Sequence, residues 1–179
     1  VDGLAGSDTL IGDDDGNLFT VTDSDMGVLP GKISGFVQIE NLVGGLGVDE
    51  FSIQAALNGN LSGQAGNDLF TFTNSGTIAG QIDGGLDDDE LRGDADGNVF
   101  TIDNPGAGTF PTKAAAGFTG IESLTGGDGD DEFRFQNSGR LAGWVDGQGG
   151  LADHLYGDDD GNIFTVATNN SGSLTETDA

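Results

Sequence analysis

Apolar residues along this chain come in pairs separated by a single residue. Phe51-x-Ile53, Phe70-x-Phe72, Phe100-x-Ile102, Phe133-x-Phe135 and Phe164-x-Val166 each put two large side chains on one face of an extended segment. Between them lie clusters of Gly, Asp and Asn, residues that tolerate positive φ and end strands. No stripe with the 3.6-residue period of a helix is visible. The pattern predicts an all-β chain of short strands.

The strands belong to a longer repeat. The segment from Gly3 to Val21 returns as Gly84 to Ile102 and, after a one-residue shift, as Gly149 to Val166. Ile39-Glu-Asn-Leu-Val-Gly-Gly-Leu-Gly-Val-Asp-Glu-Phe51 matches Ile121-Glu-Ser-Leu-Thr-Gly-Gly-Asp-Gly-Asp-Asp-Glu-Phe133, and Asn74 to Gly84 matches Asn137 to Gly147. The glycine opening each aspartate-bearing turn falls at 3, 44, 63, 84, 126 and 147, so the step is about 20 or 21 residues, single or doubled. Short strands at such a step predict a right-handed parallel β-helix or β-roll of about eight coils. The coils are 3–22, 23–43, 44–63, 64–83, 84–104, 105–125, 126–146 and 147–166, forming one array over 1–179 in units 3–83, 84–146 and a partial 147–179. A β-sandwich is the competing architecture, but it does not explain why whole blocks recur. Both ends lack the polar caps of a closed array, which reads as a piece of a longer protein.

Composition narrows the functional classes. Of 179 residues, 34 are Gly, 31 are Asp or Glu and only 5 are Lys or Arg, giving a formal charge of −26. Nucleic acid is a poor partner for such a chain, because phosphate binding needs clustered Lys and Arg. An anionic membrane surface would repel it, and no apolar run approaches the ~20 residues that span a bilayer. The 11 Phe residues argue for a packed core despite the charge. Without cysteine there are no disulfides, thiolate metal sites or thiol nucleophiles.

The glycine–aspartate turns carry the candidate chemistry. Gly44-Gly-Leu-Gly-Val-Asp-Glu-Phe-Ser52 and Gly126-Gly-Asp-Gly-Asp-Asp-Glu-Phe-Arg134 fit G-G-x-G-x-D-x-U-x in full, and the turns opening at Gly3, Gly63 and Gly84 depart from it at one position. The turn ending at Asp153 is off by one residue. These turns resemble the RTX, or hemolysin-type calcium-binding, repeats of large secreted bacterial proteins. RTX rolls carry the nonapeptide twice per coil of ~18 residues; here it occurs at most once per coil. The longer unit, with Phe-x-x-Ile-Glu-x-Leu ahead of the glycines, is similar to repeats of giant bacterial surface proteins and adhesins.

The resemblance implies Ca²⁺ held by Asp49, Asp68 and Asp89 in one column and Asp131 and Asp153 in a second, with backbone carbonyls from turns opening at Gly44, Gly63 and Gly126. Stacked carboxylates also repel: two unit charges ~4.8 Å apart cost about 3.5 kcal/mol at ε ≈ 20. An all-oxygen shell suits calcium. The plainer reading is that these aspartates cap turns through backbone N–H groups. A second acidic loop, Asp13 to Asn17, Asp94 to Asn98 and Asp158 to Asn162, reads as a tight turn, with weak calcium sites at Asp13/Asp15, Asp94/Asp96 and Asp158/Asp160 as the lesser alternative.

Catalytic side chains are sparse. His154 and Tyr156 alternate around Leu155, an arrangement that reads as surface decoration sooner than an acid–base pair, and Trp144 is expected outward, where a sugar ring could stack. The functional expectation is a non-enzymatic, calcium-stabilised structural segment of a secreted protein at the bacterial cell surface or in the extracellular matrix. Its partners would be neighbouring repeats, a second copy stacked end to end, or a cell-surface glycan. The alternative is an accessory secretion and folding module of a secreted toxin or polysaccharide-modifying enzyme.

Overall fold

The computed structural model describes residues 1–73 and 75–159, and the backbone of strands Asn162–Thr168 and Ser171–Glu176. Two stacked, mostly parallel sheets form a β-solenoid, and the chain alternates between them as it advances. In the first sheet the strands run Val145–Gln148, Ser123–Gly127, Glu90–Arg92, Leu69–Phe72, Glu50–Ile53, Leu18–Asp23, Met26–Leu29, Ile33–Val37. The second runs Thr9–Ile11, Asn41–Gly45, Leu61–Ala65, Ile82–Leu86, Ala114–Thr119, Ala107–Phe110, Val99–Asn104, Glu132–Phe135, His154–Tyr156, with two short corner strands, Ala56–Leu57 and Thr77–Ile78.

The paired apolar positions become rows running along the solenoid. Parallel register lines up Phe19, Phe51, Phe70, Leu91, Leu124 and Val145 in the first sheet. Phe133, expected beside Phe51 and Phe70, stands instead in the second sheet, between Phe100 and Leu155. Rings in a row lie nearly face to face, with centroids 5.0 Å apart for Phe19–Phe51, 4.9 Å for Phe51–Phe70 and 5.3 Å for Phe100–Phe133. That spacing is set by the strands, since neighbours in a sheet are ~4.8 Å apart. Each buried ring contributes about 1.5–3 kcal/mol through lost apolar exposure, so the spine is the main source of cohesion.

Two of the eight predicted coils are not coils. Residues 23–37 fold as antiparallel strands, Leu18–Asp23 with Met26–Leu29 and Met26–Leu29 with Ile33–Val37, before Asn41–Gly45 rejoins the parallel stack. Residues 105–119 repeat the device, with Val99–Asn104 against Ala107–Phe110 and Ala107–Phe110 against Ala114–Thr119. Reversals fall at Asp25 (φ 52), Gly31 (φ 83) and Gly106 (φ 63), in the left-handed region. In the first unit the extra strands enter the first sheet, where Asp2 bridges Val37 in parallel. In the second unit they enter the second sheet, between Ile82–Leu86 and Val99–Asn104, while Glu90–Arg92 and Ser123–Gly127 stay direct neighbours opposite. The same sequence block thus occupies opposite walls: Thr9–Ile11 lies in the second sheet and its repeat Glu90–Arg92 in the first. Strands Asn162–Thr168 and Ser171–Glu176 also pair antiparallel.

Candidate functional site

The glycine that opens each turn and the aspartate five residues later form one structural unit. A Cβ on Gly44 would lie closer than 3.0 Å to the Asp49 carboxylate, and the same holds for Gly63 with Asp68, Gly84 with Asp89 and Gly126 with Asp131. Each glycine is a socket into which the carboxylate folds, turned away from solvent. Gly147 receives Asp153 in the same way across one extra residue. Gly12 and Gly93 receive Asn17 and Asn98, which hold the equivalent place in the acidic loops.

Inside the solenoid these side chains form hydrogen-bonded columns. The N–H and Nδ2 of Asn17 donate to Oδ1 of Asp49 at 2.6 and 2.8 Å. The N–H of Asp49 donates to Oδ1 of Asp68, and that of Asp68 to Oδ1 of Asp89, both at 2.7 Å. The N–H of Asp89 closes the column on Oε2 of Glu122 at 2.9 Å. A second column runs from Asn98 to Asp131 (2.8 Å) and from the N–H of Asp131 to Oδ1 of Asp153 (3.0 Å). The N–H of Asp8 donates to Oε2 of Glu40 at 2.8 Å, repeating the Asp89–Glu122 contact. Asp49, Asp68, Asp89 and Asp131 are at most 1% exposed. The two predicted columns are therefore present, and Asn17, Asn98, Glu40 and Glu122 belong to them as well. The recurrence of Ile-Glu at 39–40 and 121–122 was the available signal for the two glutamates.

Only half of each carboxylate is used. Oδ2 of Asp8, Asp49, Asp68, Asp89 and Asp131 is buried with no hydrogen-bond partner. Burial pushes Asp68 and Asp89 up to about 7, with neighbouring acids adding to the rise and the accepted N–H opposing it. Asp131 is raised for the same first reason, against the pull of Asn98.

Calcium takes six to eight oxygens. These columns offer one free carboxylate oxygen per coil, sealed from water and lying against a glycine. Among the described residues no group of three or more His, Cys, Asp or Glu side chains is placed to hold a metal ion. The aspartates and glycines singled out by the turns leave one oxygen of each buried carboxylate without a hydrogen-bond partner, beside backbone carbonyl oxygens of the neighbouring coil at Asp49, Asp68 and Asp89. Their Oδ1 atoms take the plainer role, capping backbone N–H groups of the adjacent coil.

The acidic loops are tied down differently. Lys32 pairs with Asp13, and its repeat Lys113 pairs with Asp94. The first pair is exposed, and the hydrogen bond from Lys32 holds Asp13 below the usual carboxylate range. The second is buried, with side chains 10% and 3% exposed. Both lysines sit at the turn of an antiparallel insertion, so the insertion is pinned to the loop. Asp160, from the third copy of this loop, lies outside the described residues.

His154 and Tyr156 share the outer face of the second sheet, exposed, with ring centroids 5.7 Å apart, and the Arg134 guanidinium lies 5.0 Å from the Tyr156 ring centre. This is an open surface stack. Trp144 is 56% exposed, as its place in the repeat predicts. No protein-family profile, curated protein or solved structure matches this chain.

Proposed function

We propose that this chain is a structural repeat segment, a load-bearing β-solenoid rod from a secreted bacterial surface or matrix protein. The observation that supports it best is the double continuity of the interior: rows of Phe and columns of Asp–backbone hydrogen bonds both run from coil to coil. Such bonds run along the stacking direction, the axis on which tension would act. The extracellular, bacterial part of the reading rests on the resemblance of Gly44 to Ser52 and Gly126 to Arg134 to RTX-type turns. The formal charge of −26 suits a solvated stalk.

Pulling the chain from its two ends tests this reading. Coils that yield one at a time should lengthen it in steps of about 70 Å, one ~20-residue coil at about 3.5 Å per residue. Collapse in one step at negligible force would remove the load-bearing role.

A further inference from the structure

In a repeat array the shared positions build the fold, so a departure that the fold does not call for marks a separate task. Asn137 to Gly147 follows Asn74 to Gly84 closely: the Asn, Ser, Ala, Asp and every Gly recur, and Leu141 and Val145 stand for Ile78 and Ile82. Two positions break the likeness. Arg140 stands where the sister unit has Thr77, and Trp144 where it has Gln81.

Neither side chain is used by the fold. The N–H of Gln81 donates to Oδ1 of Asn60 at 2.9 Å and that of Trp144 to Oγ of Ser123 at 3.3 Å, so the backbone alone ties each to the preceding coil. Arg140 also serves through its backbone, bridging Pro105 and accepting from the N–H of Gly106 at 2.9 Å. Its side chain is exposed, and of the five cations it is the one outside the ion pairs of the described residues. The Trp144 ring is 56% exposed and, among the described residues, stacks on no other ring and under no cation.

The two lie on one corner of the solenoid. The run from Arg140 to Trp144 passes Gly106, Glu122 and Ser123 of the neighbouring coil, and four residues span at most about 14 Å. Asp146 is exposed two residues beyond Trp144, while Val145 between them packs on the core, so the indole and the carboxylate share the outer face. The corner thus presents an idle aromatic face, a guanidinium that only donates and a carboxylate that only accepts. A pyranose answers all three, with an apolar C–H face and a rim of hydroxyls that both give and take hydrogen bonds. The charge of −26 disfavours nucleic acid and anionic glycans, and an open wall suits a length of polymer better than a small molecule, which needs a cleft.

We propose that Trp144, Arg140 and Asp146 form a binding site for an uncharged polysaccharide, in which a pyranose ring stacks on the indole while hydroxyls accept from Arg140 and donate to Asp146. This goes beyond the mechanical reading and stands apart from it: failure of the pulling test leaves the site untouched, and loss of the site leaves the rod intact.

Trp144 is the only tryptophan of the chain, so indole fluorescence reports this corner alone. The intact chain is titrated with neutral oligosaccharides of glucose, mannose, galactose, xylose and N-acetylglucosamine. At least one should change the emission saturably; no change with any of them overturns the proposal. A response confined to oligolysine or to hexuronate oligomers overturns it too, in favour of a cationic peptide or an acidic glycan. Trp144→Gln and Arg140→Thr install the sister unit's own residues, and both should keep the parent's unfolding midpoint. By calorimetry with the responding sugar, Trp144→Gln should abolish binding and Arg140→Thr weaken it about tenfold or more, as loss of a hydrogen bond to a charged group does. Parental affinity in both variants would put the sugar elsewhere and overturn the site. If a variant does not fold, the parent titration still decides, because its signal arises at Trp144.

Discussion

At the scale of the residue, the turn motif is a steric rule before it is a chemical one. Gly63 must lack a side chain because the Asp68 carboxylate and the Gly84 carbonyl fill its β position. Gly63→Ala should therefore destabilise the chain by about 1–3 kcal/mol, as overpacking does. Leu86→Ala, on an exposed side chain of the next turn, should stay within about 0.5 kcal/mol. Urea unfolding of both variants would separate a socket from a merely flexible turn. The spacing between glycine and aspartate was legible in the sequence, as were the two columns. The inward direction was not, because a carboxylate in a Gly-rich loop ordinarily faces water, and nothing in the order of residues shows that the coil above supplies an N–H to meet it. Asn17 and Asn98 were read as turn residues for the same reason: their hydrogen bonds reach partners such as Asp49 and Asp131, 32 and 33 positions away.

At the scale of the element, the alternating pattern predicts strands but not their direction. Leu18–Asp23 and Met26–Leu29 alternate buried and exposed positions much as the coil strands Glu50–Ile53 and Leu69–Phe72 do. A period of two is shared by parallel and antiparallel pairing, so 23–43 and 105–125 read as further coils. The better cue was Pro30-Gly31 and Pro105-Gly106, dipeptides that reverse a chain. The insertions depend on their lysine pins to different degrees. Lys113→Ala strips a buried partner from Asp94 and should cost about 3–5 kcal/mol. Lys32→Ala breaks an exposed pair and should leave the unfolding midpoint unchanged. Equal effects in the two variants would show that burial is not what distinguishes the units. Within the spine, Phe51→Ala removes a ring stacked on both sides and should cost about 3–5 kcal/mol in the same assay.

At the scale of the molecule, charge and shape set the behaviour. Four of the five cationic residues are already engaged in ion pairs, Lys32, Arg92, Lys113 and Arg134, leaving the acidic surface largely uncompensated. Mutual repulsion on that surface is screened by salt, so the unfolding midpoint should climb as ionic strength is raised to about 0.5 M with a monovalent salt. No climb would mean that repulsion does not limit stability. The antiparallel insertions act on the outline of the rod. Each adds two strands, about 10 Å of width, to one wall while the facing wall gains none, and the favoured wall switches from one unit to the next. A column of masonry given extra courses first on its left and then on its right leans one way and then back. An array of such units would follow a zigzag path, shorter end to end than its contour, and could take up stretch by straightening before any coil has to open.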